Sequence, residues 1–166
     1  MKNRLDQFAI QCHDAIKAQP GLPGREKVAR LLEGLLKDSA LVAQIFAGDV
    51  GERTMLYQDP ELGFCILAHN YTDAKTSGAH DHAHSWAIYG QACGQTEMRD
   101  YDLIEAATAD KAGKVRHTRT YTLSPGMAHV YNEGDLHSPK REGPTSLIRI
   151  EGTDMSKIKR FQYQTV

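Results

Sequence analysis

The chain is poor in everything that would tie it to a membrane, a disulfide framework or a nucleic acid. Its apolar runs fall well short of the roughly 18–20 residues that a membrane-spanning helix needs. Three cysteines, Cys12, Cys65 and Cys93, stand far apart with no C-x-x-C pair, which argues against a zinc knuckle or a disulfide scaffold. Neither sign of charge is in excess: the net is −1, so no phosphate backbone or anionic lipid surface is implied as a partner. The opening Met1-Lys2-Asn3-Arg4-Leu5-Asp6-Gln7-Phe8 lacks the apolar stretch of a signal peptide. A cytoplasmic protein with reduced cysteines is therefore expected, binding neither nucleic acid nor membrane. Repeats, low-complexity tracts and linkers are also missing, so residues 1–166 are expected to form one domain. At 40% hydrophobic residues such a domain can bury a core. What stands out against this background is histidine, with eight residues against a single tryptophan.

The texture of the chain changes near residue 50. Across 1–50 the apolar residues follow helical spacing: Leu5, Phe8, Ala9, Cys12 and Ile16, then Val28, Leu31, Leu32, Leu35 and Leu36, then Leu41, Val42, Ile45 and Phe46 after Ser39. Pro20-Gly21-Leu22-Pro23-Gly24 breaks the first of these from the second. These stripes are expected to pack rather than to carry chemistry. Across 51–166 short apolar or alternating runs take over: Thr54–Tyr57, Gly63–Asn70, Trp86–Ala92, Thr96–Asp102, Val115–Leu123, Ala128–Tyr131, Ser146–Glu151 and Arg160–Gln164. Turn residues such as Asp59-Pro60, Ser124-Pro125-Gly126 and Glu133-Gly134-Asp135 separate them. Many short strands with regular turns predict a mainly β sandwich or small barrel, with the helices packed outside it.

The stretch carrying the plainest chemical signal is His80-Asp81-His82-Ala83-His84-Ser85-Trp86. On a β-strand successive side chains alternate faces, so an H-x-H pair turns two imidazoles the same way. Neutral imidazole is the commonest metal ligand. His84 shares that parity and is an alternative ligand. A third ligand must come from elsewhere, and His137 is the best candidate, because the Gly134-Asp135 turn feeds it directly into a strand.

With these residues in place the chain resembles the cupins over residues 53–166. Their first motif is Gly, five residues, H-x-H, three or four residues, Glu, six residues, Gly. His80, His82, Ala87 and Gly94 fall on that spacing, with Ala74 at the leading Gly. Their second motif is Gly, five residues, P-x-G-x-x-H, three residues, Asn. Gly126, Asn132, Gly134 and His137 fall on it, and Arg141 stands at the final Asn. The resemblance implies a cupin double-stranded β-helix, a jelly-roll barrel, and it selects His80 and His82 over His84. Ala87 replaces the usual glutamate ligand. Three neutral imidazoles with no carboxylate should favour an anionic ligand bound together with dioxygen.

A three-histidine cupin of this kind is similar to the cysteine dioxygenase family. The resemblance implies an iron(II) centre, with zinc or nickel able to take its place in a recombinant sample, and a small-molecule substrate oxidised by dioxygen. For a thiol acid the product would be a sulfinate. It also implies that Arg53 clamps the substrate carboxylate, a role suited to a planar guanidinium. Trp86 is expected to wall the pocket or to fill the core. That family's Ser-x-His-x-Tyr relay corresponds to Ser146, Ile148 and Ile150, so two of its polar groups are replaced by isoleucine, which points to a less polar substrate. His129 and Tyr131, of common parity, are the expected replacements around the ligands. Cys93 is expected to be a small buried residue, and Asp81 to point away from the ligands. The function expected is a non-haem iron dioxygenase acting on a small anionic substrate. The alternatives are a three-histidine cupin cleaving a diketone-type substrate, or a non-catalytic metal- or small-molecule-binding cupin.

Overall fold

The computed structural model describes residues 2–166. Three helices come first: α1 Lys2–Ala18, α2 Leu22–Leu36 and α3 Ser39–Phe46. Their buried faces are the apolar stripes read in the sequence: Phe8, Ala9 and Cys12 on α1, Val28, Leu32 and Leu36 on α2, Leu41 and Ile45 on α3. The Pro20–Gly24 breaker is shorter than the sequence suggests. Pro23 lies inside the first turn of α2, where its missing N–H has no intrahelical partner to lose. Asp38 starts α3 by accepting the Leu41 N–H at 3.1 Å, the usual role of a short acidic side chain ahead of a helix. Among the described residues no helix is long and apolar enough to cross a membrane.

Ten strands follow: β1 Thr54–Gln58, β2 Cys65–Tyr71, β3 Lys75–Thr76, β4 Ala87–Cys93, β5 Thr96–Glu105, β6 Gly113–Leu123, β7 Ala128–Tyr131, β8 Leu136–Arg141, β9 Thr145–Glu151 and β10 Tyr163–Thr165. The pairing is nested. The hairpin β5–β6 lies at the centre, and around it β4 pairs with β7, β3 with β8 and β2 with β9, all antiparallel. Successive strands between β2 and β9, apart from the central pair β5–β6, therefore alternate between two five-stranded sheets, β1-β2-β9-β4-β7 and β10-β6-β5-β8-β3. A long hairpin rolled up in this way is the double-stranded β-helix, or jelly roll. The fold is thus mainly β, a cupin-type barrel with the helices outside.

The first sheet is buried on both faces. Ile66, Ala68, Ile88, Ile148 and Ile150 point out of the barrel and pack with the helices. Ala87, Tyr89 and Leu147 point inward, where Met98, Leu123 and Tyr131 meet them. Gly90 on β4 lets α2 lie close: a Cβ there would sit 2.5 Å from Leu32 Cδ2.

Eight of the ten strands coincide with runs read in the sequence. The two-residue β3 and β8 do not. β8 reads Leu-His-Ser-Pro-Lys-Arg and is nearly all buried, so it has no apolar alternation to detect. Its polar residues lie inward because they line a site. Cys93 is exposed rather than buried, since it follows a bulge at the end of β4.

Candidate metal centre

His80 forms a single antiparallel bridge with His137. Each backbone N–H donates to the other's carbonyl, at 3.0 and 2.9 Å. β4 begins only at Ala87, so H-x-H does not lie on a continuous strand as expected. After His80 the chain turns instead. Ala83 adopts a left-handed φ of 52°, and its N–H donates to the Asp81 carboxylate at 3.0 Å. A left-handed alanine is unfavourable by roughly 1–2 kcal/mol, which the surrounding bonds must hold in place. The Tyr163 hydroxyl donates to the same carboxylate from β10, at 3.0 Å. Asp81 thus braces the turn between two histidines. His84 is left exposed on the turn.

The turn, the bridge and β8 bring His80, His82 and His137 together, with one ligand atom from each lying within 4.8 Å of the others. The sequence-selected trio is the group that converges. The Nδ1 atoms of His80 and His137 face the carbonyl oxygens of Gly78 and Asp135, at 2.8 and 2.9 Å. Donating Nδ1–H there leaves each Nε2 lone pair free for the centre, the usual way in which a ligating imidazole is oriented. Burial keeps all three rings neutral. It pulls the His80 pKa down to about 4 and those of His82 and His137 well below their ordinary value, with mutual repulsion and Arg149 adding to the effect. His82 differs, since its Nδ1 is buried without a hydrogen-bond partner. Neutral, clustered imidazoles fit a divalent transition metal.

Two further residues complete the site. The Tyr89 hydroxyl lies 3.2 Å from His82 Nε2 and 3.4 Å from His137 Nε2. Tyr89 shares the inward face of β4 with Ala87, which fills the barrel where a glutamate was absent. Parity from Ala87 is the signal that would have found it. Arg149 on β9 donates from Nη2 to His82 Nε2 at 2.9 Å and lies over the Tyr89 ring at 4.6 Å. Its Nε is 3.2 Å from the buried Glu151 carboxylate.

Other expected site residues fall elsewhere. Arg53 does not line the cavity: it is a surface residue whose Nη2 donates to Glu151 at 3.0 Å and to Asp154 at 2.8 Å. Trp86 packs in the core shared with the helices, with the Arg25 guanidinium 5.3 Å from its ring and Gly152 close beneath it. Ser146 donates to Asn70 at 2.8 Å and shares its face of β9 with Ile148 and Ile150, which meet the helices. The isoleucines therefore do not line the site, and they say nothing about substrate polarity. Tyr131 does reach the ligands, stacking on His137 at 3.9 Å with its hydroxyl 2.5 Å from that of Tyr121. It supports the ring by packing, since the imidazole N–H goes to Asp135. His129 packs on Tyr131 and Tyr121, one ring further out.

A cavity of about 380 Å³ opens beside His80, with His82 and His137 fully buried behind it; its size is within the range of small-molecule sites. Tyr71, His80, Tyr89, Arg141, Arg149 and Arg160 are among the residues lining it, and no carboxylate lines it.

No protein-family model matches the chain, and no curated protein is significantly similar to it. Solved structures do resemble it. A cupin superfamily protein from Desulfitobacterium hafniense is 12% identical, covers 61% of this chain and 76% of that one, and has a TM-score of 0.44. A cupin-2 domain-containing protein from Shewanella frigidimarina is 13% identical over 64% of this chain and 84% of that one, at 0.43. A protein from Neisseria meningitidis is 20% identical over 66% of this chain and 94% of that one, at 0.45. The nested strand order carries the fold independently of these likenesses.

Proposed function

We propose that the protein is a metal-dependent oxygenase that takes a small anionic substrate and dioxygen, with iron(II) held by His80, His82 and His137. One observation carries this reading: three neutral imidazoles converge beside a cavity lined by arginines and no carboxylate. Iron(II) at such a centre supplies dioxygen activation. Arg149 supplies the anchor for the acidic group, in place of Arg53, which does not line the cavity. Tyr89 is buried and its pKa is raised, so it keeps its proton at neutral pH and offers an O–H donor between His82 and His137. A thiol acid oxidised to its sulfinate is the leading substrate class, since thiolate and carboxylate both suit a cationic site. A neutral diketone would leave the arginines without a counter-charge.

The contact between Arg149 and His82 favours a second reading, an anion-binding barrel without metal, because the guanidinium already holds one ligand lone pair. Anaerobic loading with iron(II) followed by oxygen uptake separates the two. Uptake is expected with cysteine or 3-mercaptopropionate and not with acetylacetone. His137→Ala is expected to abolish metal binding with an unchanged circular-dichroism spectrum. Failure of the wild type to bind iron, cobalt or zinc would end the enzyme reading. Iron bound without thiol-dependent uptake would end only the thiol version.

A further inference from the structure

Arg141 is a buried cation without a counter-ion. It closes β8, is only 5% exposed and lines the cavity. Among the described residues it makes no ion pair. Its guanidinium lies over the Tyr71 ring at 4.4 Å, and its Nε has no hydrogen-bond partner. Burying a charge is strongly unfavourable unless the charge is paired, and an aromatic face compensates only in part. Arginine does not escape by losing its proton, even where burial and Arg149 pull its pKa down. The other arginines differ. Arg149 Nε also lacks a hydrogen bond, but the Glu151 carboxylate 3.2 Å away balances its charge, while Arg160 lies on the exposed segment before β10. The cavity therefore offers one cation beside the histidines and a second, uncompensated one set on another strand.

We propose that the cavity is built for a small molecule with two acidic groups, one held by Arg149 next to the three histidines and the other by Arg141. The proposal rests on the reading of this cavity as the substrate site. It narrows the substrate from an anion to a dianion, of which the dicarboxylates are the simplest class. A charge-assisted bond to a planar guanidinium is strong and directional, so Arg141 should discriminate against molecules ending in a methyl group.

Calorimetric titration of the metal-free protein at low salt tests this. The probes are malonate, succinate and glutarate, their monoacid counterparts propanoate, butyrate and valerate, and inorganic phosphate. The best diacid should bind at least about tenfold more tightly than its monoacid partner. Arg141→Gln and Arg149→Gln should each remove that preference, since either variant leaves one cation for one carboxylate. Equal affinities in the wild type, a preference that survives Arg141→Gln, or phosphate binding more tightly than every diacid would each overturn the proposal. Arg141→Gln should melt no lower than wild type without ligand, since it removes an unpaired buried charge; a lower melting temperature would count against that premise. Binding is read without metal or turnover. Loss of the oxygenase reading would therefore leave a diacid preference standing, and loss of the preference would leave the metal centre intact.

Discussion

Arg149 Nη2 donates to His82 Nε2 at 2.9 Å, so a guanidinium occupies the lone pair that a metal would take. Arginine stays charged and has no lone pair of its own to give. A metal at this centre would compete with Arg149 for His82, and Arg149 released from His82 would be free to meet an anion in the cavity that it lines. Metal and anion should then bind cooperatively, and linkage makes the effect reciprocal.

Arg149→Met should accordingly bind zinc or cobalt(II) about tenfold or more tightly without an anion present, because a positive charge beside the centre is gone. The same variant should bind anionic ligands more weakly. Chelator competition and ligand titration on one preparation read both effects. A metal affinity that falls would show that Arg149 supports the metal rather than competing with it.

Arg53→Ala should leave anion affinity and KM unchanged and should lower stability instead. Arg53 bonds to Glu151, which is 1% exposed, and to Asp154. Removing it leaves the buried Glu151 carboxylate with Arg149 and the Met155 N–H as its partners. The loss should be about 1–2 kcal/mol, smaller than for a fully buried pair because the Arg53 side chain is partly exposed. Chemical denaturation measures it, and a KM that rises with stability unchanged would restore Arg53 as the clamp.

The metal-free protein should lose stability in acid. Burial pulls His69 down to about 3 and His80 to about 4, and holds His82 and His137 well below their ordinary value. In the unfolded chain these histidines titrate near 6.5. Their contribution is therefore complete above pH 6.5 and is lost as pH falls toward 4, where the unfolded state binds protons that the native state does not. Each such group adds a slope of about 1.4 kcal/mol per pH unit. A melting temperature flat above pH 7 and falling steeply below 6.5 is expected; one that rises on acidification would contradict the neutral cluster.

Gly90→Ala should destabilise by about 1–3 kcal/mol, the range for overfilling a packed core. The added methyl would meet Leu32, which is fully buried. Leu32→Ala in the same chain should be less than additive with it, since the two changes share one space. Full additivity would mean that α2 does not pack on β4 as described.

Much of the site was legible because metal chelation demands particular residues at particular spacings. His80, His82 and His137 stand out in any fold that aligns the two motifs, and they do converge. The mechanism of that convergence was not legible. An H-x-H on a strand and an H-x-H on a braced turn have the same sequence, and only the Asp81 contacts with Ala83 and Tyr163 distinguish them. Only the Gly134-Asp135 turn pointed to β8, because hydrophobic alternation is blind to a strand whose buried residues are polar.

Sequence alone determined the helices, most of the strands and the three histidines, because periodicity and ligand spacing are local properties of a chain. Tertiary structure decided which side of β9 faces the histidines. Helices cover the outer face of that sheet, so both faces of the strand are buried and apolar patterning has no inside or outside to report. Ser146, Ile148 and Ile150 went to the helices, and Arg149 went to the centre. Arg141 and Arg149 lie on different strands, and only the rolled sheet sets them around one cavity with no carboxylate lining it.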